Sequence, residues 1–414
     1  MTFDTTIIGS GLSGLIAGIA LQKRGQRVAI AAYGQSTLGS FSGSFDLLGY
    51  DAEGAPLSHP LDAIGSLRSD HPYLKIGTER VAALAEEAKT LLTEAGLVLK
   101  GDVATNHSRI TPMGVAKPAW LSLDDCFTLD IDDQITDLRV QLVGIEGFLD
   151  FPAEFICAEL ERQGARVSFN TLPITYFKGK RKSPYETRAT SIARLMDRDD
   201  ELRDFAAAVA ITAEGSDVVV LPAVFGLATN DAMLKLRQIV GKPTYVIATL
   251  PPSLLGARVQ TLLRNHFTEL GGTIFYDTKI TSGTLEGDKV VSVSSGYAEA
   301  ITASHYILAT GSFQSHGLVA EYRQVVEPLF RLDVSYDKNR TQWTNPDLFA
   351  PQPYMAYGVI TDARFQPYRS GIVVRNLYAI GSVLCGHDAL AQADGTGVSL
   401  LSALAVANHI CNGK

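Results

Sequence analysis

The chain has 414 residues, of which 46% are hydrophobic and 19% charged, and its formal net charge at pH 7 is -8. This length allows a large core and two domains, and the absence of a basic run argues against nucleic acid as a partner. No stretch of about 18 apolar residues occurs and no basic leader opens the chain, so we expect neither a membrane-spanning helix nor a signal peptide.

The four cysteines, Cys126, Cys157, Cys385 and Cys411, are far apart in the sequence. None forms a CxxC pair, so we expect no iron–sulfur cluster, structural zinc or other metal held by this chain alone. A reducing cytoplasmic location is the expectation for such cysteine usage.

The chain opens with the stretch TTIIGSGLSGLIAGIALQKRGQRVAIAAYG. Its pattern predicts a strand, a glycine-rich turn, a helix and a second strand, in that order. The turn fits GxGxxG, in which the first glycine permits the tight turn, the second lets a pyrophosphate approach the backbone, and the third lets helix pack on strand. The start of the helix offers unpaired N–H groups to the phosphate. The predicted nucleotide contacts are Gly9, Ser10, Gly11, Leu12, Ser13 and Gly14.

The second strand ends in Ala32 and Tyr33, where such units usually place an acid that holds the adenosine ribose. The loop that follows, GQSTLGSFSGSFDLLGY, is rich in Gly and Ser and has no helical period, so its amides are predicted to face a ligand. The predicted contacts in this region are Ala32, Tyr33, Gln35, Ser36, Ser42, Gly43 and Ser44.

Two later segments repeat the pattern of a strand that ends in a glycine bend. SHYILATGSF runs into Gly311, and NLYAIGSVLCGHDALAQADGTGVS passes through Gly381 to a second bend that opens the last helix. Together with the N-terminal turn they predict one flavin site. The predicted contacts are Ala309, Thr310, Gly311, Gly381, Ser382, Gly395, Thr396, Gly397 and Val398.

The predicted fold class is α/β, with a Rossmann-like flavin-binding domain built from discontinuous segments and an inserted α+β substrate or cap domain. We place the flavin-binding domain at 1–50, 253–316 and 366–414, and the substrate or cap domain at 51–252 and 317–365.

The segments IIGSGLSGLIAG, GQSTLGSFSGSFDLL, PPSLLGARV and LATGSFQSHGLVAE, with the C-terminal bend, resemble the B subunit of the anaerobic glycerol-3-phosphate dehydrogenase family. More widely, the chain is similar to flavoproteins of the fumarate reductase and aspartate oxidase group. The resemblance implies a flavin, FMN in that family, a second flavoprotein subunit and an iron–sulfur subunit that meets the membrane. The cytoplasmic chain would then lie at the inner face of the cell membrane only through these partners.

The missing acid leaves two interpretations of the cofactor open. Either the ligand lacks the adenosine half, as FMN does, or FAD binds with weaker ribose contacts from Tyr33, Gln35 or the main chain. The loss of one charge-assisted hydrogen bond costs about 1.5–3 kcal/mol, which does not exclude FAD.

Oxidation of glycerol 3-phosphate to dihydroxyacetone phosphate needs a cation for the phosphate and a base for the hydroxyl proton. Arg258 ranks first for the phosphate and is also a catalytic candidate, with Arg109 and Lys117 behind it. His316 and His387 are the favoured candidates for the base. Two alternatives stay open: an FAD-dependent fumarate-reductase-like oxidoreductase, and a non-catalytic electron-relay or assembly subunit.

Overall fold

The computed structural model describes residues 2–131, 135–174, 188–296 and 299–412. The helices are α1 (Leu12–Lys23), α2 (Pro72–Ile76), α3 (Thr78–Glu94), α4 (Ala153–Arg162), α5 (Ala189–Met196), α6 (Asp199–Thr212), α7 (Asp231–Val240), α8 (Leu254–Glu269) and α9 (Gly395–Asn412). In the part of the chain that is described, no helix has the length and apolarity needed to cross a bilayer.

The strands are β1 (Thr2–Ile8), β2 (Val28–Ala31), β3 (Ser44–Phe45), β4 (Leu99–Lys100), β5 (His107–Ile110), β6 (Ala116–Ala119), β7 (Leu121–Leu123), β8 (Thr128–Asp130), β9 (Arg139–Ile145), β10 (Arg166–Leu172), β11 (Val218–Pro222), β12 (Thr244–Ile247), β13 (Thr273–Phe275), β14 (Ser282–Glu286), β15 (Lys289–Ser294), β16 (Thr302–Leu308), β17 (Val319–Ala320), β18 (Val325–Val326), β19 (Val334–Ser335), β20 (Gly358–Val359), β21 (Tyr368–Arg369), β22 (Ile372–Val373) and β23 (Leu377–Ala379).

The chain divides into two compact units. Unit 1 comprises Met1–Thr37, Asp46–Leu97 and Leu262–Lys414, and unit 2 comprises Leu38–Phe45 and Val98–Thr261. The mixed α/β architecture and the parallel sheet in unit 1 confirm the predicted fold class.

Unit 1 is built on a parallel sheet with strand order β13-β2-β1-β16-β23. Residues Leu12–Leu21 of α1 are all buried, and most of α9 is buried as well. A helix that is apolar on every face is stable only when all of its faces are buried. α1 meets this requirement by packing against both α9 and the sheet. The two glycine-opened helices therefore form the centre of the unit 1 core.

Unit 2 contains a parallel sheet with strand order β10-β9-β11-β12. Two smaller antiparallel sheets, β3-β7-β4 and β6-β5-β8, complete its described strands. Its largest fully buried side chains include Trp120 and Phe45, and the backbone N–H of Trp120 donates to the Phe45 carbonyl over 3.0 Å.

The boundaries of these units differ from the predicted domains. Residues 51–97 fall in unit 1 because α2 and α3 pack on α9, and 317–365 fall there because β19 pairs with β20 and Val359 bridges Leu384. Residues 38–45 and 253–261, which were predicted in the flavin domain, fall in unit 2. These contacts join segments far apart in the chain.

Candidate cofactor site

The carboxyl ends of three neighbouring strands of unit 1 carry the predicted glycine bends. β1 runs into Gly9, β16 into Gly311 and β23 into Gly381. The strand order reverses at β1, since the chain adds β2 and β13 on one side and β16 and β23 on the other. In open parallel sheets, ligands bind outside the carboxyl ends at such a reversal.

Direct contacts hold the bends together. Gly9 has φ +117° and a Cβ there would lie 2.2 Å from the Ala309 carbonyl oxygen, so only glycine fits. Gly381 has φ +71°, and its Cβ would lie 2.6 Å from Ser13 Oγ and 3.6 Å from Ser399 Oγ. The bend at Gly381 is therefore next to the first turn of α1 and near the start of α9.

The residues of this edge fit a nucleotide phosphate. Gly11 is the N-cap residue of α1, which has no side-chain cap and no acid in its first turn. A Cβ at Gly11 would meet only the Ser36 side chain, at 3.9 Å, so a ligand can approach this backbone closely. Among the described residues, the buried Thr310 Oγ1 has no hydrogen-bond partner, which leaves a polar group for a ligand.

The start of α9 has a packing role that the sequence did not indicate. A Cβ at Gly397 would lie 2.1 Å from the hydroxyl oxygen of Tyr73, which is fully buried and donates to the Leu47 carbonyl over 2.6 Å. Thr396 Oγ1 donates to the Asp46 carbonyl over 3.0 Å. Gly397 is therefore required for helix packing, and flavin contacts from 395–398 stay a prediction.

The end of β2 has no acid to hold a ribose. The Ala32 N–H donates to the Phe275 carbonyl, and the Ala32 carbonyl accepts from Thr278 N–H, each over 2.9 Å. The Tyr33 side chain is 62% exposed, and Gln35 is exposed. The backbone of Ala32 is thus used within the sheet, and side chains beyond it face solvent.

A buried carboxylate holds two histidines beside this region. Asp394 immediately precedes α9, and its Oδ1 lies 3.1 Å from His387 Nδ1 while its Oδ2 lies 2.9 Å from His71 Nε2. All three side chains are almost completely buried. His387 was a predicted base, whereas Asp394 and His71 were not predicted.

The hydrogen bonds assign the protons of this cluster. Burial opposes ionisation of Asp394, but His387 and His71 outweigh it and hold the pKa of that carboxyl below its ordinary range. His71 Nδ1 accepts from Tyr73 N–H over 3.1 Å, so its Nε2 carries the hydrogen and donates to Asp394. His387 likewise donates from Nδ1, which leaves Nε2 of the neutral ring with a lone pair.

The other predicted base is placed differently. His316 is exposed and follows the short helical turn Phe313–Ser315 with φ +60°. Within the described ranges, no hydrogen bond or ion pair orients its ring. The structure thus gives His387, and not His316, the partners that a general base needs.

Arg258, the first-ranked candidate for the phosphate, lies in a buried ion pair. In unit 2, Arg258 is 3% exposed and its Nη2 lies 2.6 Å from Asp125 Oδ2. Its Nη1 lies 3.4 Å from Asn230 Oδ1. The charge of Arg258 is already matched in a buried pair, which argues against its predicted phosphate-binding and catalytic roles.

Arg109 and Lys117 stand directly opposite each other on the antiparallel strands β5 and β6. Both are partly exposed. Directly opposed residues of an antiparallel pair have neighbouring side chains, so the two cationic groups lie on the same face of this sheet. The structure therefore brings together the two lower-ranked phosphate candidates.

The predicted ligand loop at 42–44 belongs to unit 2. Ser44 Oγ lies 2.6 Å from Ser122 Oγ, and a Cβ at Gly43 would lie 2.5 Å from Cys126 Sγ. Burial and the nearby Asp125 raise the pKa of the Cys126 thiol, which favours its protonated form. The flavin contacts proposed for Ser42, Gly43 and Ser44 stay predictions.

Comparison with known proteins defines the class. The family model of the FAD binding domain matches residues 4–398, nearly the whole chain. The protein is therefore a flavoprotein with a site for a flavin nucleotide, as the glycine bends of unit 1 indicate. A solved structure with a similar course is 3-ketosteroid delta1-dehydrogenase from Sterolibacterium denitrificans, with 12% identity, 100% of both chains covered and a TM-score of 0.46, too low for a functional comparison.

The particular family is given by closer relatives. The B subunit of the anaerobic glycerol-3-phosphate dehydrogenase of Pectobacterium atrosepticum is 39% identical over 414 residues, covering 99% of both chains. That of Yersinia enterocolitica is 40% identical over 416 residues, covering 99% of this chain and 98% of the relative. The chain belongs to the family of anaerobic glycerol-3-phosphate dehydrogenase B subunits, which confirms the predicted resemblance.

Proposed function

We propose that this chain is a flavin-dependent subunit that oxidises sn-glycerol 3-phosphate to dihydroxyacetone phosphate. The observation that carries the proposal is the meeting of the Gly9, Gly311 and Gly381 bends at one sheet edge in a member of this family. When bound there, the flavin supplies the two-electron acceptor for the hydride of the carbinol carbon. The chain's own residues must bind the cofactor and take the hydroxyl proton.

His387 is the proposed base, and Nε2 is the atom that takes the hydroxyl proton. Asp394 positions the ring, since its carboxylate accepts from Nδ1 and balances the imidazolium charge after proton uptake. His71 holds the second oxygen of Asp394, so the carboxylate cannot turn away from His387. Asp394 and His71 are thus positioning residues for the base.

Arg109 and Lys117 are proposed as ligands for a phosphate dianion within unit 2. Support comes from their opposed register on β5 and β6 and from the matched charge of Arg258. Neutralising either residue should weaken the binding of a phosphate dianion to this strand pair, because each would lose a charged hydrogen bond.

The proposed partners are a second flavoprotein subunit and an iron–sulfur subunit that meets the membrane. Relatives that are named as the B subunit of a dehydrogenase support assembly into a complex of several subunits. Electrons from the oxidised alcohol would pass through these partners to quinone, with this chain at the cytoplasmic face of the membrane. The finer partner assignments follow from the family resemblance.

Anaerobic mixing of the purified, flavin-loaded chain with glycerol 3-phosphate tests the proposal. We expect the visible flavin absorbance to bleach without any partner, and His387→Gln to retain flavin but to bleach about 10²-fold more slowly. A flavin that the substrate reduces only when a partner subunit is added would contradict the proposal and support an electron-relay role. Reduction by another acid or alcohol alone would support the fumarate-reductase-like alternative.

A further inference from the structure

A row of three hydrogen-bonded side chains in unit 2 ends on the strand that carries Arg109. Ser44 Oγ lies 2.6 Å from Ser122 Oγ, which in turn lies 2.6 Å from His107 Nε2. Ser44 and Ser122 stand opposite each other on β3 and β7, and both are buried. His107 is on β5, and it is partly exposed. The row therefore runs from the interior of unit 2 to a partly exposed ring.

The two contacts of Ser122 determine the direction of these hydrogen bonds. Within the residues that the structure describes, the Ser44 hydroxyl has no partner other than Ser122, and Ser44 is 2% exposed. A buried hydroxyl hydrogen without an acceptor is costly, so Ser44 donates to Ser122. Ser122 has one hydrogen and therefore donates it to His107 Nε2. The ring can accept because it is neutral at pH 7, since burial and Lys100 lower the pKa of His107 to about 4.

This direction fixes the tautomer of His107. A neutral imidazole carries one hydrogen, and because Nε2 accepts from Ser122, the hydrogen is on Nδ1. Nδ1 has no hydrogen-bond partner in the described part of the chain. Hydrogen bonds in such a row polarise one another, which strengthens the outermost donor. The row thus presents an oriented N–H group on β5 that has no acceptor of its own.

That donor shares a strand face with two cations. His107 and Arg109 are two residues apart on β5, so their side chains leave the same face. Lys117 on β6 stands directly opposite Arg109. Asp130 stands opposite His107 on β8, but it is exposed and, among the described contacts, makes no hydrogen bond to the ring. One neutral donor beside two cationic groups suits an anion with several oxygens.

We propose that His107 is a third ligand of the phosphate site formed by Arg109 and Lys117. The inference rests on the phosphate site of the proposed function and names a further residue of it. His107 Nδ1 donates to one phosphate oxygen, while the two cations bind the others. Ser122 and Ser44 are positioning residues, since their hydroxyls keep the hydrogen of the ring on Nδ1.

Calorimetric titration of the full-length, flavin-loaded chain with inorganic phosphate at about pH 8, where phosphate is a dianion, tests this assignment. Two substitutions separate the two ring nitrogens, because the amide of Gln reaches the position of Nε2 and the amide of Asn that of Nδ1. His107→Gln should keep the contact with Ser122 but bind phosphate about ten- to hundredfold more weakly, since a hydrogen bond to a charged group is lost. His107→Asn, which restores an N–H near Nδ1, should recover part of the affinity.

Ser108→Ala is the matched control. Ser108 lies between His107 and Arg109 on β5, so its side chain leaves the opposite face of the strand. We expect its phosphate affinity to stay within about twofold of the wild type. A loss as large as that of His107→Gln would show that the strand itself, and not the ring, is sensitive to substitution, and would overturn the assignment.

Nitrogen NMR of the wild type labelled at histidine supplies a measurement that does not depend on a variant folding. We expect the His107 signals, identified by their absence in His107→Asn, to show the hydrogen on Nδ1 and to shift when phosphate is added. Ser122→Ala removes the donor to Nε2, so the hydrogen should move toward Nε2 and phosphate binding should weaken.

Three results would overturn the inference. They are an unchanged phosphate affinity in His107→Gln, equal losses in His107→Gln and His107→Asn, and a wild type with the hydrogen on Nε2. If Arg109→Gln still weakens phosphate binding in those cases, the phosphate site of the proposed function survives. A folded wild type that binds no phosphate would overturn that site along with the inference, whereas flavin bleaching by glycerol 3-phosphate tests the proposed oxidation separately.

Discussion

Two arginines of α8, six residues apart, carry the same charge in different surroundings. Arg258 in unit 2 is 3% exposed and pairs with Asp125 at 2.6 Å. Arg264 in unit 1 touches a serine of a glycine turn and, in the described part of the chain, has no carboxylate partner. A buried arginine that has an ion-pair partner is part of the folded core. A cation without such a partner, at the glycine-rich turn, is available to bind an anion.

Removing the partner of the matched arginine should have the largest effect on stability. Asp125→Ala leaves the Arg258 charge buried and unpaired, so we expect unit 2 to lose about 3–5 kcal/mol of unfolding free energy. Denaturant unfolding followed by tryptophan fluorescence measures this loss. The chain has 2 tryptophans, so a Trp343→Phe background leaves only the signal of Trp120, which is fully buried in unit 2.

The same measurement on the unmatched arginine sharpens the comparison. Arg264→Gln should change the unfolding free energy by less than about 1 kcal/mol, since no ion pair is lost. Equal losses for Asp125→Ala and Arg264→Gln would show that the two arginines do not differ in the way proposed.

The surroundings of a charged group matter for histidines as they do for the two arginines, and His107 beside Lys100 is an example. Burial, with a contribution from Lys100, lowers the pKa of His107 in unit 2 to about 4. The unfolded chain, with an ordinary pKa near 6.5, takes up the proton first, so stability is full above about pH 6.5 and falls as the pH drops toward 4. The expected loss is about 3 kcal/mol at 1.36 kcal/mol per pKa unit.

His107→Gln should flatten this part of the stability profile measured by urea unfolding at each pH. His316→Gln is the control, because His316 is exposed and its removal should leave the slope unchanged. A profile for His107→Gln that is parallel to the wild type between pH 4 and 6.5 would refute the assignment.

A histidine beside a carboxylate should instead affect catalysis. Asp394→Asn keeps the shape of the side chain but removes the charge that balances His387, so we expect kcat to fall about 10²-fold with flavin content retained. A kcat within about twofold of the wild type at all pH values would remove Asp394 from the mechanism.

The glycine edge could be predicted from sequence because its signals are local. A strand, a GxGxxG turn and a helix require neighbouring residues only, and parallel strands place their carboxyl ends at one edge. The convergence of Gly9, Gly311 and Gly381 follows from those two facts. The exact partner of each strand did not need to be known.

The charged contacts could not be predicted because they join distant segments. Arg264 reaches Ser10 across 254 positions, Arg258 reaches Asp125 across 133, and His71 reaches Asp394 across 323. Such pairs depend on how helices and loops pack, which hydrophobic periodicity does not specify. The packing role of Gly397 under Tyr73 is likewise a contact between distant segments, and its flavin contact stays a prediction.

The central claim is that the edge of unit 1 at Gly11 holds the flavin, and one substitution tests it directly. Gly11 has φ −75°, and a Cβ there would meet only Ser36, so Gly11→Leu should fold normally while its longer side chain blocks the ligand. The measurement is the flavin released per chain on denaturation, beside the unfolding midpoint. We predict a folded, colourless protein with the midpoint of the flavin-free wild type; a full complement of flavin in folded Gly11→Leu would contradict the account.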